Sequence, residues 1–86
     1  MKLYIDTTDS EKIFIELDGE RFSSRSKVKK AQALLPLIDK ALKSKNKDIH
    51  EVTEISYNLG PGSATGIRVG AAVAQALEFA LELDRS

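Results

Sequence analysis

Cysteine is absent from the chain, and histidine occurs once, as His50. The first absence removes disulfides and thiolate-held metals. The second leaves a zinc site short of the roughly four ligands it draws from such side chains. No metal or other cofactor is expected. A lack of cysteine also suits a reducing compartment. No stretch reaches the roughly 20 consecutive apolar residues that span a bilayer. Met1-Lys2-Leu3-Tyr4-Ile5-Asp6 starts directly on a strand-like pattern, without the apolar core of a signal peptide. The expectation is a soluble, cytoplasmic protein with no membrane contact.

The 86 residues allow one small domain, residues 1–86, and are too few for two. Thirteen basic and thirteen acidic residues cancel, but they are segregated. Asp6, Asp9, Glu11, Glu16, Asp18 and Glu20 crowd the first stretch; Arg25, Lys27, Lys29, Lys30, Lys40, Lys43, Lys45 and Lys47 crowd the next. The basic stretch has two readings. One is a solvated helix face, with Lys43 and Lys45 near a helix C-terminus whose dipole favours cations. The other is an RNA or acidic-partner surface built on Lys40, Lys43, Lys45 and Lys47. No aromatic residue sits among these lysines, so base stacking is not suggested.

Alternation places Leu3 and Ile5 on one side of a strand over residues 2–6, with Tyr4 on the other. Lys12-Ile-Phe-Ile-Glu-Leu17 reads as a second strand. Asp18-Gly19 predicts a two-residue hairpin, because both turn positions need positive φ. A polar third strand over 20–25, with Phe22 as its large apolar contact, belongs at a sheet edge. A helix follows from about Ser26, a candidate N-cap, to Ser44. Val28, Ala31, Leu35, Ile38 and Leu42 form its stripe, and Leu34, Leu37 and Ala41 widen it. Pro36 should disturb the bond to the Gln32 carbonyl and bend that helix. Glu51–Asn58 reads as a fourth strand, parallel to an earlier one through a right-handed crossover. A second helix runs from Ala64 or Thr65 to near Leu83.

The second helix is apolar nearly all round. Arg68, Gln75, Glu78 and Glu82 form one narrow polar stripe. One sheet face and one neighbouring helix cannot cover the remainder, which calls for another chain or domain. The expected interface comprises Val28, Ala31, Leu35, Ile38 and Leu42 of the first helix and Ile67, Ala71, Ala74, Leu77 and Leu81 of the second. The order is β-β-β-α-β-α, an α/β domain with a mixed sheet.

Between the last strand and helix lies Gly60-Pro61-Gly62-Ser63-Ala64-Thr65-Gly66-Ile67-Arg68-Val69-Gly70. Exposed N–H groups there could bind an anion. The plainer reading is a tight strand-to-helix turn, with Ser63 or Thr65 as cap. It is not a P-loop, since no Lys follows the last Gly at the required place.

The full string Gly60, Pro61, Gly62, Ser63, Thr65, Gly66, Arg68, Gly70 resembles the signature of the TsaB (YeaZ) family. Tyr4-Ile5-Asp6-Thr7-Thr8 is similar to that family's opening strand and turn, and Leu34-Leu35-Pro36-Leu37-Ile38 to its Leu-Leu-Pro-x-Ile helix. The resemblance runs from about residue 2 to 81. Two departures stand out. Ala64 replaces a usual Phe, and Lys30-Ala31-Gln32 replaces a usual His-Ser-Glu triplet.

The resemblance implies a ribonuclease-H-like domain of the actin-like ATPase (ASKHA) superfamily, truncated relative to a two-domain family. It implies a non-catalytic scaffold role in threonylcarbamoyladenosine modification of adenosine 37 in tRNA. The partner it implies is TsaD, the paralogue that carries the chemistry on a His-x-x-x-His metal site; this chain has only His50. Docking would use the two helices, with a homodimer through the same surface when TsaD is absent and indirect tRNA contact in the complex. Two other functions stand beside it. One is a nucleotide-binding half-domain, whose phosphate-facing turn would be Asp6, Thr7 and Thr8. The other is a tRNA-contact module using the lysines.

Overall fold

A computed structural model describes residues 1–26 and 29–83. Strand β1 spans Lys2–Asp6, β2 Lys12–Leu17 and β3 Glu20–Arg25, each where alternation places it. The β2–β3 turn is the two-residue hairpin, with φ of 49° at Asp18 and 89° at Gly19. Asp18 also accepts from the Lys2 N–H at 2.8 Å, which ties the hairpin tip to the start of β1.

Helix α1 spans Lys30–Ser44, not from Ser26. The Ser26 N–H bonds the Glu11 carbonyl at 2.7 Å, which keeps that residue extended beside the strands. Lys29 is left-handed at φ 58°, so helical geometry begins only after it. The helix runs unbroken through Pro36, which is exposed. After α1, Asp48 accepts from the His50 N–H at 2.8 Å and Glu51 accepts from the Asp48 N–H at 2.8 Å. That capping box folds Ile49–Glu51 into a 3₁₀ turn. It delays strand β4 to Glu54–Tyr57, three residues later than alternation alone suggests.

Helix α2 spans Ala64–Ala80. It stops short of Leu83 because Glu82 turns left-handed at φ 55°. The Leu83 N–H then reaches back to the Glu78 carbonyl at 2.9 Å, closing the helix end.

The sheet order is β3-β2-β1-β4. β1 pairs antiparallel with β2 and parallel with β4. The polar β3 lies at an edge, as its composition requires. One sheet face carries Leu3, Ile5, Ile13, Ile15 and Leu17, all buried, with Phe22, Ile55 and Tyr57 partly buried beside them. α1 covers this face over β2 and β3, while α2 covers it over β1 and β4. Leu34, Leu37, Ile38, Ala41 and Leu42 of α1 and Ala74 of α2 complete the core.

The other sheet face is polar and aromatic. Arg21 stands 4.9 Å from the Phe14 ring centre and pairs with Glu16 at 2.8 Å. Among the described residues, no helix is long and apolar enough to cross a membrane.

Leu34 of α1 has no exposed surface and belongs to the core that both helices form with the sheet. Leu34→Ala is expected to lower unfolding free energy by about 2–5 kcal/mol. Urea denaturation followed by circular dichroism measures it.

Candidate functional site

Two regions stand out: the junction where the glycine-rich loop meets the turn after β1, and the outward side of the helix pair.

The junction is built around Thr7, which is buried. Its hydroxyl donates to the Gly66 carbonyl in the first turn of α2. A Cβ on Gly66 would overlap the Thr7 carbonyl, and one on Gly70 would stand 2.5 Å from the Thr7 hydroxyl. Gly62 faces the same turn, where a Cβ would lie 2.5 Å from that of Thr8. These glycines are therefore the surface on which α2 approaches the end of β1. Gly60–Pro61 is a cis peptide. Ser63 is the N-cap: its hydroxyl accepts from the Gly66 N–H at 3.2 Å. The Ser63 N–H in turn donates to the Thr8 carbonyl at 3.1 Å. Thr65, the alternative cap, is exposed, as is Arg68.

Asp6 serves its own turn. It accepts from the Thr8 N–H at 3.0 Å, the Thr8 hydroxyl at 2.6 Å and the Asn58 amide at 3.3 Å. Asn58 then accepts from the Gly60 N–H at 3.0 Å, so a polar chain runs from β1 to the loop. Burial alone would raise the Asp6 pKa. The hydrogen bonds from Thr8 and Asn58 outweigh it, and Arg21 helps, leaving the carboxyl below its usual 3.8.

Two participants escape sequence reading. Asn58 is one. Lys30 is the other: it is buried, and its ammonium donates to the Thr7 carbonyl at 3.1 Å and to the Asp9 carbonyl. A signal exists in its spacing, since Lys30 precedes Leu34 by one helical turn on the inward stripe. Ser10, Lys29, Lys30, Ser63, Thr65 and Val69 border an open cleft of about 490 Å³ here.

On the helix pair the expected interface divides. Ile38, Leu42 and Ala74 belong to the chain's own core. Their side chains are almost wholly spent inside this fold, because the inward stripe of each helix is wider than the heptad spacing suggests. Ile67, Ala71, Leu77 and Leu81 are half-buried. Ala31 is exposed and Leu35 is 50% exposed. Val28 lies outside the described residues. The expected interface omits Phe79, the most exposed large apolar side chain among the described residues at 87%, and its exposed helix neighbours Ala72, Ala76 and Ala80. α1 and α2 lie side by side, and Leu35, Ile38, Leu42, Ile49 and Leu77 line a groove of about 150 Å³ between them.

Of the lysines, Lys43 pairs with Asp39 at 2.9 Å, Lys45 with Glu20 at 2.9 Å and Lys47 with Glu51 at 3.6 Å. Their charge is locally offset, and Lys40 stands apart on the β3 side of α1, beside Phe22 and Leu37. His50 is exposed on the 3₁₀ turn. Among the described residues, no group of three or more His, Cys, Asp or Glu is placed to hold a metal ion.

Two predictions follow from the junction. Gly66→Ala should cost about 2–3 kcal/mol of stability through overlap with the Thr7 carbonyl. Thermal melts of that variant beside Gly19→Ala, which meets nothing within 4 Å, separate overlap from backbone strain. Asp6 has a depressed folded pKa, so its contribution is fully present above the unfolded value near 3.8 and is lost as pH falls through the folded value. The loss of stability below pH 4 should therefore be shallower in Asp6→Asn, read from denaturation midpoints across an acid series.

Comparison with known proteins places these features. The family model described as TsaD, tRNA N6-adenosine threonylcarbamoyltransferase, matches residues 25–84. The tRNA threonylcarbamoyladenosine biosynthesis protein TsaB of Haemophilus influenzae is 42% identical over 50 residues, 58% of this chain and 21% of that protein. TsaB of Buchnera aphidicola from Acyrthosiphon pisum is 33% identical over 61 residues, 71% of this chain and 28% of that protein. This chain thus spans about a quarter of the curated relatives it matches. YeaZ from Pseudomonas aeruginosa superposes with a TM-score of 0.77 at 29% identity, covering 95% of this chain and 40% of that one. A second Pseudomonas aeruginosa structure, of a protein with similarity to peptidase YEAZ, gives 0.78 at 29%, covering 95% and 39%. The mixed sheet with both helices on one face is accordingly the actin-like, ribonuclease-H-like fold. The signature loop packed on Thr7, the fold and the matched family model together show that this chain belongs to the TsaD-type threonylcarbamoyltransferase family, among its TsaB/YeaZ members.

Proposed function

We propose that the chain is a partner-binding, non-catalytic subunit in tRNA threonylcarbamoyladenosine biosynthesis, acting in a soluble cytoplasmic complex. Its helix pair docks on a TsaD-like catalytic subunit, or on a second copy of itself when that subunit is absent. The observation that carries this reading is the exposure of Phe79 at 87% and Leu35 at 50% on two helices that share one sheet face. Exposed Ala31, Ala72, Ala76 and Ala80 would let a partner helix come close. Ile67, Ala71, Leu77 and Leu81 form the half-buried margin of that surface.

The reading of Asp6, Thr7 and Thr8 as a nucleotide-facing turn ranks behind. Asp6 already accepts three hydrogen bonds from Thr8 and Asn58. The Thr8 N–H and hydroxyl, donors that a phosphate would need, are already given to Asp6. The tRNA-contact reading of Lys40, Lys43, Lys45 and Lys47 is left mainly with Lys40, since the others have acidic neighbours.

Titrating the TsaD-like protein from the same genome into this chain tests the proposal. Wild type should bind at micromolar or better affinity. Phe79→Asp and Leu35→Asp should each weaken binding about tenfold or more, as truncation of a central apolar anchor does. Their circular dichroism should match wild type. A wild-type chain that ignores TsaD and stays monomeric in sedimentation would sink the reading.

A further inference from the structure

α1 begins against electrostatic preference. Its N-cap is Lys29, whose side chain makes no cap hydrogen bond, its first residue is Lys30, and no acidic residue lies in its first turn. The positive end of a helix dipole disfavours cations, and such ends normally carry a Ser, Thr, Asp or Asn cap. A lysine only 8% exposed at that place needs strong acceptors.

It has them from outside the helix. The Lys30 ammonium donates to the Thr7 carbonyl at 3.1 Å and to the Asp9 carbonyl. The Asp9 carboxylate is engaged elsewhere, accepting from the Glu11 N–H at 2.7 Å and the Lys12 N–H at 3.0 Å. Its negative charge still lies on the same turn. On the third side is α2, where a Cβ at Gly66 would stand 3.0 Å from the Lys30 nitrogen. The ammonium therefore sits where α1, the turn after β1 and the first turn of α2 converge.

We propose that the Thr7 and Asp9 carbonyls form an ammonium cradle whose resident ion is the Lys30 side chain. That ion acts as a positioning residue, holding the start of α1 against the glycine loop and α2. The cradle consists of backbone oxygens that exist without Lys30. A variant lacking the side chain leaves a site whose chemistry suits a small N–H-donating cation. The inference concerns this junction alone and stands whether or not the helices bind TsaD.

The experiment uses the full chain with Lys30→Ala and Lys30→Met, melted at matched ionic strength in ammonium, sodium and tetramethylammonium chloride. Loss of a charged donor to two carbonyls should lower the midpoint of both variants by about 10 °C. Ammonium should restore more than half of that loss in Lys30→Ala. Tetramethylammonium, with the same charge and no N–H, should restore none. Lys30→Met fills the cavity with its stem and should respond to neither. In ammonium, the amide resonances of Thr8, Ser63 and Gly66 in Lys30→Ala should return toward their wild-type positions. Melting of both variants with wild type would overturn the proposal. So would equal rescue by ammonium and tetramethylammonium, which would mean charge screening. If Lys30→Ala does not fold in sodium, recovery of helical signal in ammonium alone supports the cradle, and recovery in neither salt overturns it.

Discussion

The approach of α2 to Thr7 governs the arrangement of this domain. A helix can lie this close to the end of a strand only where its facing residues lack side chains; Gly66 and Gly70 meet that condition against Thr7, and Gly62 in the preceding loop meets it against Thr8. The contact is polar as well as steric. Thr7 donates to the Gly66 carbonyl, and Thr8 accepts from the Ser63 N–H. Both bonds tie the turn after β1 to the start of α2. Once α2 is fixed over β1, Ala74 falls into the core, and the side of the helix bearing Phe79 is turned away from the sheet.

This explains why the loop marks a family without being an obvious reaction centre. Its glycines serve packing, and its serine serves capping. Asp6 and Asn58 extend the same network sideways, linking the end of β1 to the start of the loop. Lys30 extends it to α1. The junction is a mechanical hub. It orients the two helices, whose exposed Phe79 and Leu35 are what the proposed partner would meet.

Much of the fold was legible in the sequence. The first three strands, the Asp18-Gly19 hairpin, the polar edge strand and the parallel β4 all follow from period-two alternation, turn chemistry and the crossover rule. The misplaced boundaries have local causes. The left-handed Lys29 delays α1, the Asp48–Glu51 capping box shortens β4, and Glu82 ends α2. The helix interface was legible only as a surplus of apolar residues. Periodicity cannot say which members of a broad stripe face the sheet, so an interface drawn from it takes in the buried Ile38, Leu42 and Ala74 and leaves Phe79 outside.

By itself, the sequence determined the order of elements, the sheet edge, the family signature and the presence of more helical apolar surface than one sheet face can cover. These depend on neighbours along the chain and on composition. The tertiary structure decided which apolar residues remain exposed. It also decided what Thr7 and Lys30 do. Their partners lie 59 and 23 residues away. Such contacts arise only when separate elements are packed together, and the spacing of residues along one element carries no record of them.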